Sequence, residues 1–165
     1  MLLYHGSNLI VGKPRLVEQL RTLDFGKGFY TTSDFEQAVR FSKRVVNRTG
    51  GGRAVSVYDF DAKQAEKEVK VVRFDSASVA WLDYVLENRT GRTAKDGADI
   101  VIGPVANDDV FGTILLLEDG TINKEQAIIA LLNKKLPDQH VFKTKNALSF
   151  LKFKEAFYPQ GGENG

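Results

Sequence analysis

Two short segments near the start of the chain constrain its fold and chemistry more than any other feature. The first, residues 2–7 (LLYHGS), is an apolar strand-like run that ends in His-Gly-Ser. The second, residues 25–32 (FGKGFYTT), leads from a two-glycine turn into an aromatic and β-branched strand. Together they supply an imidazole, accessible backbone amides and an aromatic ring. These groups suit the binding of a ribose and a flat heterocycle.

Length and composition limit the remaining possibilities. The 165 residues have room for one domain, which we expect over residues 1–160, with residues 161–165 as a disordered tail. The chain has no cysteine, which excludes disulfides and thiolate metal sites and favours the reducing cytoplasm. The two histidines, His5 and His140, are too few for a histidine-rich site, so we predict no metal. No apolar run reaches about 18 residues and no basic leader precedes the first strand, so we expect no membrane association.

The apolar patterns predict alternating strands and helices. The predicted strands are Met1–His5, Phe29–Thr32, Ala54–Phe60, Val69–Phe74, Asp99–Gly103 and a last region that starts at Gln139 and resumes over Phe150–Phe153. The predicted helices run from a cap at Ser33 or Asp34 to Val46, from Ser78 to Asn88 and from a cap at Asn123 to Asn133, while Phe111–Leu117 is ambiguous. We therefore predict an α+β fold, built on a split, mostly antiparallel sheet.

The two early motifs together resemble the NAD-binding signature of the ADP-ribosyltransferase superfamily. The resemblance is to the His-Tyr-Glu branch, which includes diphtheria toxin and the poly(ADP-ribose) polymerases. It implies that His5 binds ribose hydroxyls, that the backbone of Gly6 holds the nicotinamide carboxamide, and that Ser7 and Gly28 belong to the same cofactor-binding set. A glycine at position 6 also leaves room for a ligand to approach the backbone. For His-Gly alone, an ordinary strand-end histidine would be the simpler interpretation.

The resemblance also implies an aromatic sandwich around nicotinamide. Tyr30 occupies the position of the tyrosine that packs on the ring, and Phe41, eleven residues later, that of the aromatic on its other side. Such a sandwich supplies apolar burial and orientation together. The alternative is that Phe41 is a core residue of an amphipathic helix. A serine that contacts the carboxamide in the polymerases falls here on Ala38, so that contact is either missing or supplied by another group.

The third catalytic position departs from the family pattern. The glutamate at the start of a late strand, which holds the ribose 2′-hydroxyl, aligns here with Gln139. A glutamine can still accept a hydrogen bond from the ribose, but it carries no negative charge and cannot act as a base. Asp138 and Glu125 are alternatives for the missing charge, although both are also explained as solvated surface acids.

A later segment, residues 99–111 (DIVIGPVANDDVF), resembles a hallmark of a bacterial group of uncharacterised ADP-ribosyltransferase-like proteins. The combined resemblance implies a mono-ADP-ribosyltransferase that cleaves NAD at the nicotinamide–ribose bond and transfers ADP-ribose to a macromolecular acceptor. Family analogy further suggests the toxin of a toxin–antitoxin pair, with an antitoxin protein as partner. The same residues also fit an NAD glycohydrolase or a catalytically silent NAD- or ADP-ribose-binding module.

Overall fold

The computed structural model describes residues 1–17, 23–90, 96–106, 108–132 and 134–160. Its strands are β1 (Leu2–Ser7), β2 (Phe29–Thr31), β3 (Ala54–Phe60), β4 (Val71–Arg73), β5 (Ile100–Pro104), β6 (Asp138–Phe142) and β7 (Leu151–Phe157). Its helices are α1 (Phe35–Thr49), α2 (Ala62–Glu68), α3 (Val79–Arg89), α4 (Asp108–Glu118), α5 (Lys124–Leu132) and α6 (Lys145–Leu148). The α+β prediction is confirmed, whereas the predicted tail at 161–165 lies outside the described residues.

The strands form two sheets. One has the order β1-β3-β7 and is antiparallel, and the other has the order β2-β6-β5-β4, in which only the β4–β5 pair is parallel. A single bridge between Tyr4 and Thr32 joins β1 to β2, so the sheets are continuous at one point and separate beyond it. This arrangement is the split, mostly antiparallel sheet that the sequence predicts.

Side-chain alternation along the strands divides the core into two apolar clusters. The inner cluster lies between the sheets and includes Leu3 and Tyr58 from one sheet with Phe29, Ile102 and Phe142 from the other. The outer cluster joins the opposite face of the four-stranded sheet to α3, α4 and α5. Its buried members include Val101, Val141, Trp81, Val110 and Leu131.

Local signals explain most helix starts. The side chains of Asp34, Ser78 and Thr144 accept hydrogen bonds from the backbone N–H three residues later, as N-caps do. Asn123 and Gln126 form a reciprocal capping box at the start of α5, with both bonds 2.9 Å long. Of the predicted caps, Asp34 (rather than Ser33) and Asn123 are therefore confirmed.

Three segments differ from the predictions. β1 continues through Ser7 because it pairs with β3 as far as Ala54, so His5 lies inside the strand and not at its end. Residues 62–68 form α2, capped by Asp61, although their mixed charges show no clear apolar period. The ambiguous segment at 111–117 belongs to α4.

Candidate functional site

The split between β1 and β2 leaves backbone groups without a strand partner. Tyr4 and Thr32 exchange both backbone hydrogen bonds, at 2.8 and 2.9 Å. In an antiparallel ladder the next such pair would be Gly6 and Tyr30, two residues along each strand. No further backbone pairing between β1 and β2 occurs in the part of the chain that the structure describes. The N–H and C=O of Gly6 therefore face the opening between the sheets.

Those two backbone groups of Gly6 are complementary to a primary carboxamide. The ligand carbonyl would accept from the Gly6 N–H, and the ligand NH₂ would donate to the Gly6 C=O. This geometry can bind the carboxamide of nicotinamide through backbone groups alone.

His5 is fixed in one tautomer beside the split. Its Nδ1 lies 2.7 Å from the carbonyl oxygen of Tyr30 and must carry the proton, because a carbonyl oxygen only accepts. The imidazole stacks on the Phe29 ring, with centroids 4.3 Å apart. Burial lowers the pKa of His5, partly offset by the bond to Tyr30, so the ring is neutral near pH 7. Nε2 is then a hydrogen-bond acceptor, as a ribose hydroxyl requires.

Gly6 is required by packing against α1, which corrects the reason expected from the sequence. A Cβ at position 6 would lie 2.0 Å from the Ala38 carbonyl oxygen and 2.9 Å from the Ser42 nitrogen. The space left free by the missing side chain is therefore occupied by the helix backbone and not by a ligand. Gly6 therefore also affects the site indirectly, because this close crossing fixes the position of α1 relative to β1.

Phe41 is a half-buried residue of α1. It directly precedes Ser42 and lies one turn after Ala38, the two buried residues whose backbone packs against Gly6. The Ser42 hydroxyl donates to the Val39 carbonyl at 2.6 Å. Ala38 stands where the polymerases have a serine. Ser42 supplies the nearest hydroxyl in sequence on this part of α1.

Tyr30 closes the two-glycine turn with its hydroxyl. That hydroxyl donates to the Gly26 carbonyl at 2.6 Å and accepts from the Phe25 N–H at 3.1 Å. Burial raises the pKa of Tyr30, and neighbouring Asp24 adds to the increase, so the group stays protonated. The hydroxyl is thus a structural group, and the half-buried ring is the part of Tyr30 that remains for stacking.

The Tyr30→Phe variant tests whether the hydroxyl is a structural group and the ring is the part that stacks. The variant leaves the Phe25 N–H and Gly26 C=O unpaired, so we expect a loss of about 1–3 kcal/mol in the free energy of unfolding. NAD affinity should change less than about threefold because the ring is kept. Chemical denaturation and calorimetry measure the two effects. Tyr158→Phe, at a tyrosine that is 69% exposed, is the matched control and should change neither. A large loss of affinity with unchanged stability would contradict this assignment.

Gly28 and Lys143 hold the same turn against β6. A Cβ on Gly28 would lie 2.6 Å from Val141 Cγ1 and 2.9 Å from the Phe142 carbonyl oxygen. The Lys143 ammonium donates to the Phe25 carbonyl at 2.8 Å. The missing side chain at Gly28 therefore allows the turn to pack against β6. Lys143 positions the same turn, and the sequence motif did not indicate this role.

Gln139 shares a sheet face with Tyr30. Tyr30 pairs with Val141 in the β2–β6 register, so the side chain of Gln139, two residues earlier, lies on the same face. Gln139 is buried, and its amide donates to the Pro104 carbonyl at 3.4 Å. Its amide oxygen is the group that can still accept from a hydroxyl.

Asp138 and Glu125 lie elsewhere. Asp138 belongs to the opposite face of β6, where its carboxylate accepts from the Ser33 N–H and hydroxyl, the Thr32 hydroxyl and the His140 Nε2. These hydrogen bonds hold the pKa of Asp138 well below its usual range, against the effect of burial. Glu125 is exposed in the first turn of α5. Neither carboxylate is brought to the face of Tyr30 and Gln139.

The remaining expectations concern Ser7, metals and membranes. The Ser7 hydroxyl donates to the Asn8 side chain at 3.4 Å at the end of β1. Within the described ranges, no group of three or more His, Asp or Glu residues is placed to hold a metal ion. None of the described helices is long and apolar enough to cross a membrane.

Comparison with known proteins gives one match. No curated protein and no solved structure matches the chain significantly. A family profile described as protein of unknown function (DUF3990) matches residues 1–153. Because this match covers almost the whole chain, the protein belongs to the DUF3990 family.

Proposed function

We propose that this protein is a mono-ADP-ribosyltransferase that uses NAD and modifies a macromolecular acceptor. The observation that carries the proposal is the convergence at the split. There the neutral His5 imidazole bonds to the Tyr30 carbonyl, next to the N–H and C=O of Gly6, which have no strand partner within the part of the chain that the structure describes. The resemblance of both early motifs to the ADP-ribosyltransferases supports the same reading.

Different residues bind the nicotinamide and the ribose, and together they promote cleavage of the bond between them. Gly6 holds the carboxamide, and the rings of Tyr30 and Phe41 stack on the two faces of nicotinamide. His5 accepts from a ribose hydroxyl through Nε2, and the Gln139 amide oxygen accepts from another. The nicotinamide–ribose bond breaks with its electron pair leaving on the nicotinamide nitrogen, and the ribosyl cation is captured by the acceptor nucleophile. Fixed dipoles around the ribose favour this transition state.

The biological setting follows from the family analogy. We propose a cytoplasmic reaction on a protein or nucleic-acid acceptor, with the enzyme acting as a toxin that a cognate antitoxin restrains.

Product analysis tests the proposed function. The purified protein is incubated with NAD labelled in its adenylate half, with and without a cell extract. Transfer predicts stoichiometric nicotinamide release and label on a macromolecule, whereas free ADP-ribose as the sole product indicates a glycohydrolase. Saturable NAD binding without nicotinamide release indicates a silent binding module. Absence of both binding and release contradicts the proposal.

A further inference from the structure

The pairing between β2 and β6 stops just before the corner that leads into α1. The ladder covers three residue pairs and ends where Thr31 lies opposite His140. Continued by two residues, the same register would place Ser33 opposite Asp138. Within the described residues, no backbone hydrogen bond joins the two strands at that point. The side chain of Asp138 makes the connection instead.

The Asp138 carboxylate accepts hydrogen bonds from four donors. Its Oδ1 accepts from the Ser33 N–H at 2.9 Å and from the Thr32 hydroxyl at 3.4 Å. Its Oδ2 accepts from the Ser33 hydroxyl at 2.7 Å and from the His140 Nε2 at 3.3 Å. An ionised carboxylate has about four acceptor positions and no donor, so it matches this set of donors.

The carboxylate is ionised in these surroundings. Burial alone would raise the pKa of Asp138, but the hydrogen bonds from His140 and Ser33 outweigh burial and lower it. Because a carboxylate only accepts, the His140 proton lies on Nε2. The His140 Nδ1 is buried and has no hydrogen-bond partner among the described residues. The orientation of the imidazole therefore depends on Asp138.

The corner that Asp138 holds, residues 32–34, connects the other elements of the site. The backbone of Thr32 forms the bridge to Tyr4, which directly precedes His5 on β1. The Thr32 hydroxyl accepts from the Asp34 N–H at 3.0 Å, and Asp34 caps α1. One carboxylate on β6 thus holds the junction of β1, β2 and α1.

We propose, on the basis of the proposed function, that Asp138 is the positioning residue that holds the split in its working geometry. It does not contact NAD, because it lies on the opposite face of β6 from its neighbour Gln139. It fixes the start of β6, and with it Gln139, relative to Tyr30 on β2 and to His5 and Gly6 on β1. A misplacement of about 1 Å can cost about 100-fold in rate, so the loss of this link should act mainly on bond cleavage.

The competing explanation is that Asp138 contributes only to stability, and Asp99 provides the matched control. The Asp99 carboxylate accepts from the Lys70 N–H at 2.9 Å and from the Thr144 hydroxyl at 2.8 Å. These bonds also join distant segments, but they lie at the end of the β5–β6 pair opposite to Asp138. Asp138→Ala and Asp99→Ala therefore lose comparable hydrogen bonds, and only Asp138→Ala should alter the split.

The test compares the two variants at a temperature where both are folded. Amide hydrogen exchange reports on the bridge and needs no NAD. In Asp138→Ala, we expect the Thr32 and Tyr4 amides to exchange at least about tenfold faster relative to the β1–β3 ladder of the same variant. Nicotinamide release at saturating NAD should fall about 100-fold, with the KM for NAD changed less than about fivefold. Asp99→Ala should keep the exchange ratio and the rate within about threefold of wild type.

Ser33→Ala decides the question if Asp138→Ala does not fold. It removes the hydroxyl bond to Asp138 and keeps the N–H bond, so both readouts should shift in the same direction by about fivefold. Unchanged exchange at Thr32 and Tyr4, or an unchanged rate, in the variant that folds overturns the inference and leaves the proposed function intact. An Asp99→Ala protein that loses as much rate as Asp138→Ala has the same consequence. A wild-type protein that neither binds nor cleaves NAD overturns the proposed function, whatever the exchange result.

Discussion

Replacing Gly6 with alanine is expected to destabilise the protein more than any other single methyl group added at a described glycine. The new Cβ would lie 2.0 Å from the Ala38 carbonyl oxygen, and the next contact, the Ser42 nitrogen at 2.9 Å, is also backbone. Neither atom can rotate away, so α1 must shift from β1. We expect a loss of at least about 3 kcal/mol in the free energy of unfolding, measured by chemical denaturation.

Gly12→Ala is the matched control for this prediction. A Cβ on Gly12 meets nothing within 4 Å, so the free energy of unfolding should change by less than about 0.5 kcal/mol. A Gly6→Ala protein as stable as Gly12→Ala would contradict the close crossing of α1 over β1. It would also remove the argument that this crossing positions Phe41.

The second large effect is expected at His5. Asparagine at this position keeps an N–H that can donate to the Tyr30 carbonyl, but it lacks the Nε2 acceptor. We therefore expect His5→Asn to reduce nicotinamide release by about 100-fold and NAD affinity by about tenfold. The melting temperature should fall by no more than about 5 °C, since the strand hydrogen bonds and most contacts remain.

The His5→Ala variant shows how much of the His5 effect comes from lost structural contacts. It removes both the bond to Tyr30 and the stacking on Phe29, so it should lower stability as well as activity. Equal activity of wild type and His5→Asn at saturating NAD, measured as nicotinamide release, would show that Nε2 has no role.

Much of the fold could be predicted from the sequence because the signals are local. Short apolar runs predict the long strands β1 and β3, and candidate caps at Asp34 and Asn123 predict helix starts. The helix α2 could not be predicted in this way. Its residues are mostly exposed and charged, and only Ala65 is buried, so the apolar period is too weak to see.

The site was only partly predictable. His5, Gly6 and Tyr30 stand in short motifs, but the reason for the glycine at position 6 is a contact with a helix more than thirty residues away. Lys143 carries no motif of its own, and its role depends on chain segments brought together by the fold. Long-range contacts of this kind leave no spacing signal in one sequence.

The most direct test of the central claim is the crystal structure of this protein with nicotinamide or NAD bound. We expect the carboxamide to lie about 2.8–3.1 Å from both the N–H nitrogen and the carbonyl oxygen of Gly6. We also expect the pyridine ring between Tyr30 and Phe41, with a ribose hydroxyl on His5 Nε2. A ligand bound away from the split, or no bound ligand at saturating concentration, would contradict the proposed function.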